Sequence, residues 1–262
     1  MKELLCNLKK IFSIFLLSFI LYSQAFAAGN DANTVSLLHM DGADASTTFT
    51  DNATGGTHTW TASADAQIDT AQSKFGGASG LFDGTGDYIS TGDSADYSYG
   101  NGSFTIDFWM RWNGTTASDT IYYQTDDGTN EIIVRASAGT SRLHFWDYSG
   151  GAYQILTYCS WTPSADTWYH IAWVRDGNTW YVFIDGVSQS LTLQAGSYSA
   201  TLANIAGNLN IGGNPIGAEY FTGWLDEARI SKGIARWTAN FTPPTEAYNG
   251  AVAPRNQVIW IN

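Results

Sequence analysis

The sequence predicts an all-β chain, folded as a two-sheet antiparallel sandwich or jelly roll. Three observations predict it. Strand-length runs with period-two alternation recur after residue 34. No window of helical length carries an apolar stripe at 3.6-residue spacing. Clusters of Gly, Asp, Asn and Ser separate the runs at short intervals.

The clearest strand is Ser103 to Trp112. Phe104, Ile106, Phe108, Met110 and Trp112 share one face, which reads as core. Thr105, Asp107, Trp109 and Arg111 share the other, a mixed face suited to solvent or a ligand. The clearest hairpin runs from Thr167 to Gly186, with arms Trp168–Arg175 and Trp180–Ile184 around Asp176-Gly177-Asn178. Large residues at both parities place these arms in the middle of a packed sandwich. Shorter strands are expected at Val35–Met40, Gly80–Asp83, Asp87–Ser90, Thr120–Gln124, Glu131–Ala136, Arg142–Tyr148, Tyr153–Tyr158, Leu209–Gly212 and Gly223–Ser231.

Residues 1–27 read as an export signal. Lys2, Lys9 and Lys10 precede an apolar run from Ile11 to Tyr22, and Ala25-Phe26-Ala27 is a small-x-small cleavage site. The run is short for a bilayer span. The mature chain of 235 residues is then expected to be secreted or extracytoplasmic, at the periplasm or cell surface, with no membrane span. Its length suits one large sandwich. Residues 28–34 read as a short linker, 35–248 as the domain, and 249–262 as a tail or last strand, with Val258–Ile261 its apolar part.

The 262 residues hold 12 Lys and Arg against 24 Asp and Glu. Residues 1–27 take three Lys and one Glu with them, which leaves 9 against 23 and a net charge of −14. No basic cluster occurs, so nucleic acid and anionic membranes are excluded as expected partners. Cys6 lies in the export segment, so Cys159 stands alone and reads as a small buried hydrophobe.

Four segments, in order, carry a family resemblance. They are Leu37-Leu38-His39-Met40-Asp41-Gly42 with Phe49-Thr50-Asp51; Phe75 to Gly84 with Asp87-Tyr88-Ile89; Phe104 to Trp109 with the Trp168–Gly186 hairpin; and Gly223 to Ile230 running into Ala235-Arg236-Trp237 and Phe241-Thr242-Pro243-Pro244. Together they resemble the laminin G-like jelly-roll family of the concanavalin A-like lectin/glucanase superfamily. The resemblance covers roughly residues 35 to 248. It implies two antiparallel sheets, one concave, with the terminal strands side by side. It also implies roles in glycan binding, adhesion or attachment.

No catalytic signature accompanies it. Sandwich glycosidases need two carboxylates about 5–5.5 Å or about 6.5–9.5 Å apart. The strand Ser103–Trp112 offers only Asp107, and Asp226 and Glu227, being adjacent, are expected on opposite faces. Beyond residue 27, Glu occurs only at 131, 219, 227 and 246. His39, His58, His144 and His170 are scattered, and His170 reads as structural.

Calcium is the better chemical expectation, since it takes six to eight oxygens from carboxylates and carbonyls on irregular loops. The resemblance implies that the strands near Asp41 and Asp226 are neighbours, so these two are the expected ligands of one structural Ca2+ ion. The competing reading is that such Asp residues cap turns. Glycan binding rests on aromatics, which stack against apolar sugar faces. The chain is 15% aromatic with 11 Trp, most of them core material. Trp161 and four residues, Asp107, Trp109, Arg111 and Trp146, are the ligand candidates, with the four expected together on the concave sheet. The function expected is non-catalytic recognition of a glycan or cell-surface polysaccharide. The alternatives are an adhesion or assembly subunit binding protein, and a glycan hydrolase or lyase.

Overall fold

The computed structural model describes residues 29–113, 118–126 and 128–249. The export segment at 1–27 and the apolar tail at Val258–Ile261 lie outside them. Eighteen strands are formed among the described residues, with only two short 3-10 turns at Ala95–Tyr97 and Ala138–Thr140. In chain order the strands are β1 Thr34–Leu38, β2 Thr61–Ser63, β3 Gln67–Asp69, β4 Ser79–Asp83, β5 Tyr88–Thr91, β6 Phe104–Trp112, β7 Ser118–Thr125, β8 Glu131–Ser137, β9 Arg142–Ser149, β10 Ala152–Ser160, β11 Thr167–Asp176, β12 Thr179–Ile184, β13 Val187–Ser188, β14 Thr192–Gly196, β15 Leu209–Ile211, β16 Gly213–Asn214, β17 Glu219–Tyr220 and β18 Thr222–Lys232.

Two eight-stranded antiparallel sheets make the sandwich. The first runs β13-β12-β11-β6-β18-β4-β3, with β1 also paired to β18. The second runs β14-β10-β9-β8-β7-β15-β5-β2. The strand next to the N-terminus therefore lies against the last long strand, Leu37 opposite Arg229 and Leu38 opposite Ala228. Strands β2, β3, β13, β16 and β17 have only two or three residues, too few for alternation to mark them, and β14 is almost wholly exposed, with no buried face to alternate against.

The core lies where the alternation says it should. The first sheet turns Phe104, Ile106, Phe108 and Met110 inward, joined by Ile171, Trp173, Trp180, Val182 and Leu225. The second answers with Ile132, Val134, Leu143, Phe145, Ile155 and Cys159. Phe145 is fully buried and its ring meets three rings of the opposite sheet: Phe104 at 5.9 Å, Trp173 at 5.7 Å and Trp180 at 4.9 Å between centroids. Cys159 is a buried free thiol, and burial pushes it up to about 12. It packs as the hydrophobe the sequence suggested.

One turn ties two strands of the second sheet together. Strands β9 and β10 are joined by Gly150 and Gly151 between paired Ser149 and Ala152. Both glycines have positive φ, 59° and 80°. That is the requirement of a type I′ turn, and it sets the register as far as Tyr148 opposite Tyr153, beyond which a bulge shifts it by one residue.

Truncating Phe145 removes a bridge between sheets. Phe145→Ala is expected to cost about 3–5 kcal/mol of stability, read as a lower urea midpoint with an unchanged slope.

Candidate functional site

The two outward faces of the sandwich differ, and the difference locates the site. The outward face of the first sheet is sealed. Asp107, Trp109 and Arg111 of β6 do project outward, as their parity predicted. They lie opposite Arg229, Asp226 and Trp224 of β18 on one side, and Ala172, His170 and Trp168 of β11 on the other. The segment after β18 folds back across this face. Trp237 and Phe241 stack on each other at 4.1 Å and close over His170, Ala172, Val174 and Phe183.

Beneath that cover is a fully buried polar network. The Arg229 guanidinium is bidentate on Asp107, donating from Nε to Oδ1 at 3.0 Å and from Nη2 to Oδ2 at 3.1 Å. Its Nη1 donates to the Gly29 carbonyl at 2.9 Å, and its plane stacks on the Tyr248 ring at 3.8 Å. The Tyr248 hydroxyl donates to Asp107 Oδ2 at 2.6 Å and lies 2.9 Å from His170 Nε2. Because the hydroxyl proton goes to the carboxylate, its oxygen accepts from Nε2–H, which places a proton on Nε2 of His170. Burial by itself would raise the Asp107 carboxyl; the Arg229 charge and His170 override it and hold it at about 2. Burial lowers His170.

Asp107 and Trp109 are therefore not ligand-facing. Asp107 has no exposure and Trp109 only 4%. Lys74 sits 3.8 Å above the Trp109 ring and Phe75 meets it edge-on. Arg111 is paired with Asp166 at 2.6 Å and stacks on Trp224. The expectation that these three share a sheet with Trp146 is also corrected: Trp146 is on β9, in the other sheet. Local alternation assigns parity within a strand, but sheet membership is decided by long-range pairing.

A second correction concerns Asp226 and Glu227. The β6–β18 register shifts between Asp226 and Arg229, and Glu227 has φ of 50°. This bulge inserts one residue and cancels the alternation. Both carboxylates consequently meet the covering segments. Asp226 Oδ2 accepts from the Lys74 and Phe75 amides at 2.8 and 3.1 Å. Glu227 accepts from the Tyr248 amide at 2.8 Å and lies 2.7 Å from His39 Nδ1.

Asp41 approaches the same 74–77 loop. A Cβ on Gly76, which has φ of 64°, would collide with the Asp41 carboxylate, so only glycine admits this approach. Asp226 Oδ1 is buried and has no hydrogen-bond partner, and burial pushes the carboxyl up to about 8, with Glu227 and Asp41 adding to the rise. An orphan carboxylate oxygen of this kind fits a cation. The described residues nonetheless hold no group of three or more His, Cys, Asp or Glu side chains around one point. The remaining oxygens calcium needs would have to come from backbone and water.

The outward face of the second sheet is open. Strands β8, β9 and β10 present three cross-strand rows there. Ser137, Arg142 and Ser160 form one row; Arg135, His144 and Tyr158 the next; Ile133, Trp146 and Leu156 the third. Tyr123 of β7 packs with Ile133, Trp146 and Leu156, and Tyr148 and Ala195 flank them. The Trp146 indole donates to Glu131 at 2.9 Å, and Arg135 stacks on its ring at 4.6 Å. Arg142 stacks on Tyr158 at 4.0 Å. Two shallow concavities of about 320 and 500 Å³ open over β8, β9 and β10 and share Thr140 and Arg142, and a third of about 750 Å³ lies over β2, β5 and β15, lined by Thr61, Ser90, Asn210 and Asp126. Trp146, His144, Arg135, Tyr153 and Gln194 line the first; Tyr158, Trp161 and Gln189 line the second.

Of the residues expected to bind ligand, Trp146 and Trp161 border the first two concavities but are themselves largely buried, 6% and 9% exposed. Arg135, Arg142, His144, Tyr153 and Tyr158 were missed. The parity of Arg142, His144, Trp146 and Tyr148, extended across the Gly150-Gly151 turn, finds Tyr153, but the register shift between Tyr153 and Ile155 hides Tyr158 from it.

Comparison with known proteins agrees with this architecture. A model described as the concanavalin A-like lectin/glucanases superfamily matches residues 83–236. Among curated proteins none matches. Among solved structures, domain 4 of AbnA, a GH43 extracellular arabinanase from Geobacillus stearothermophilus, in complex with arabinotriose, aligns with TM-score 0.55 at 16% identity, covering 78% of this chain and 94% of that one. The botulinum neurotoxin serotype D binding domain aligns with TM-score 0.58 at 12% identity, covering 81% of this chain and 50% of that one. This chain spans about half the length of such toxin binding domains. At these identities the likeness is one of fold.

The sealed face yields one expectation. Asp107→Asn leaves Arg229 buried without its counter-charge and is expected to cost about 3–5 kcal/mol. A urea melt measures it. A loss in Asp107→Asn/Arg229→Met well below the sum of the two single losses would confirm that the pair acts as a unit.

Proposed function

The chain belongs to the concanavalin A-like lectin/glucanases superfamily, and from that premise we propose that it is a non-catalytic carbohydrate-recognition module whose ligand lies on the outward face of the second sheet. The observation that carries this is the open, aromatic-lined double concavity around Trp146, Tyr153, Tyr158 and Trp161. Sugars offer apolar C–H faces to aromatic rings and hydroxyls to amide, hydroxyl and guanidinium groups, and the concavities supply both kinds of partner. The same fold in the arabinanase domain was crystallised with arabinotriose.

Glycoside hydrolysis needs a carboxylate pair at the scissile bond, and the carboxylates beside these concavities, Glu131 and Glu219, are engaged by the Trp146 indole and by Arg135. The carboxylates the bulge brings to one side, Asp226 and Glu227, are buried, 0% and 1% exposed, on the sealed face. The export signal read at residues 1–27 supports action outside the cytoplasm. No helix among the described residues is long and apolar enough to cross a membrane.

Titrating the mature chain with a panel of oligosaccharides by calorimetry tests the reading. Binding to at least one is expected, weakened about tenfold or more by Tyr153→Ala, a residue that is 42% exposed, with a melt of the variant confirming that it folds. A folded protein that binds no member of the panel would overturn the proposal.

We also propose one structural calcium ion between Asp41 and Asp226, supported by the orphan Asp226 Oδ1 and by the approach of Asp41 to the same loop. Calcium at about a hundredfold over its Kd is expected to raise the melting temperature by about 5 °C or more. Asp226→Asn and Asp41→Ala should each abolish the rise. A wild-type melt identical in calcium and in EDTA sinks the idea.

A further inference from the structure

The two concavities that share Arg142 have a charge character at odds with the rest of the molecule. The chain carries 24 Asp and Glu against 12 Lys and Arg, yet neither concavity is lined by a single carboxylate, and both are lined by Arg142. Arg135 joins it in the first. A neutral sugar needs no such arrangement, since its hydroxyls are met as well by carboxylates, which this chain has in excess. Guanidinium groups in an acid-free lining suit an anion.

The two arginines are not equivalent. Arg135 donates to Glu219 at 2.7 Å, so its charge is largely answered. Arg142 forms no ion pair among the described residues. Its guanidinium lies on the Tyr158 ring, which holds the fork in place without neutralising it. It sits where the two concavities meet, and a ligand crossing from one to the other passes over it. Between them, His144 is 6% exposed and its Nδ1 has no hydrogen-bond partner. Burial first, then the Arg135 and Arg142 charges, push its imidazole down to about 4. It is therefore neutral at pH 7 and adds polar bonding without charge.

Resting on the carbohydrate reading above, we propose that the ligand is an acidic glycan, and that Arg142 pairs with the carboxylate of a uronic or sialic acid residue while the exposed Tyr153 packs against the sugar beside it. The planar fork of Arg142 matches a carboxylate in a way a neutral hydroxyl cannot exploit.

Matched pairs test this: oligogalacturonate against its methyl ester, and sialyllactose against lactose, each titrated into the mature chain by calorimetry, with a sulfated neutral oligosaccharide as a further arm. The acidic member of at least one pair is expected to bind about tenfold tighter than its neutral match, the scale of one charge-assisted hydrogen bond. Arg142→Gln, folded by its melt, should erase the difference within that pair. Raised salt should reduce it. Equal affinity within every pair that binds would overturn the acidic assignment and leave the carbohydrate reading standing. A wild-type preference undiminished in Arg142→Gln would overturn the role of Arg142. Tighter binding of the sulfated oligosaccharide than of either acid would replace carboxylate by sulfate. No binding by any probe, in a folded protein, would overturn both readings.

Discussion

The buried pair between Asp107 and Arg229 is the constraint around which the molecule is arranged. Burying two charges is costly, and the cost is offset only where geometry is good and every remaining donor is satisfied. Here the fork is bidentate, a third donor reaches the Gly29 carbonyl, and Tyr248 supplies both a hydroxyl for the carboxylate and a ring for the guanidinium. These partners come from β6, β18 and the segments at both ends of the described chain. The pair thus has its full set of bonds only when the ends of the domain close over the first sheet. Gly29 to Asn33, expected to be a linker, are held here: Asp31 accepts from Arg236, and the Asn33 side chain donates to the Lys232 carbonyl.

Sealing one face leaves the other for recognition. A sandwich has two outward surfaces, and a polar–aromatic strand reads the same on either. On the first sheet the aromatic and charged residues are consumed by cover: Trp109 under Lys74 and Phe75, His170 under Trp237 and Phe241. On the second sheet Arg135, Arg142, Tyr153 and Tyr158 open instead into the two concavities, with Trp146 and His144 largely buried at their borders.

The rows themselves are a product of simple geometry. Antiparallel pairing sets Arg135 opposite His144 and His144 opposite Tyr158, so residues 23 apart in sequence form one line across the sheet. The Gly150-Gly151 turn and the bulge after Tyr153 together set that register, and a slip of one residue would send Trp146 into the core and Phe145 out of it. Core and site are thus set by a single register: Phe145 bridges the sheets because Trp146 faces outward.

Much of this was legible in the sequence. Alternation along Ser103–Trp112 gave the inward and outward sides of β6 correctly, the Thr167–Gly186 hairpin formed as read, and Cys159 packed as a buried hydrophobe. Parity also marked Trp146 as a residue for a mixed face. What alternation cannot supply is the neighbour. It could not say that β6 and β9 belong to different sheets, because that depends on pairing between strands distant in the chain. Nor could it foresee the bulge at Glu227, which reverses the parity of one residue through a single positive φ. Above all, it could not show that the segment from Ala235 to Tyr248 lies over Asp107 and His170 rather than beside them. The sequence by itself determined which residues could be inside and which could bind. Only the tertiary structure decided which outward face stayed open, because cover is a long-range property that no local pattern of side chains records.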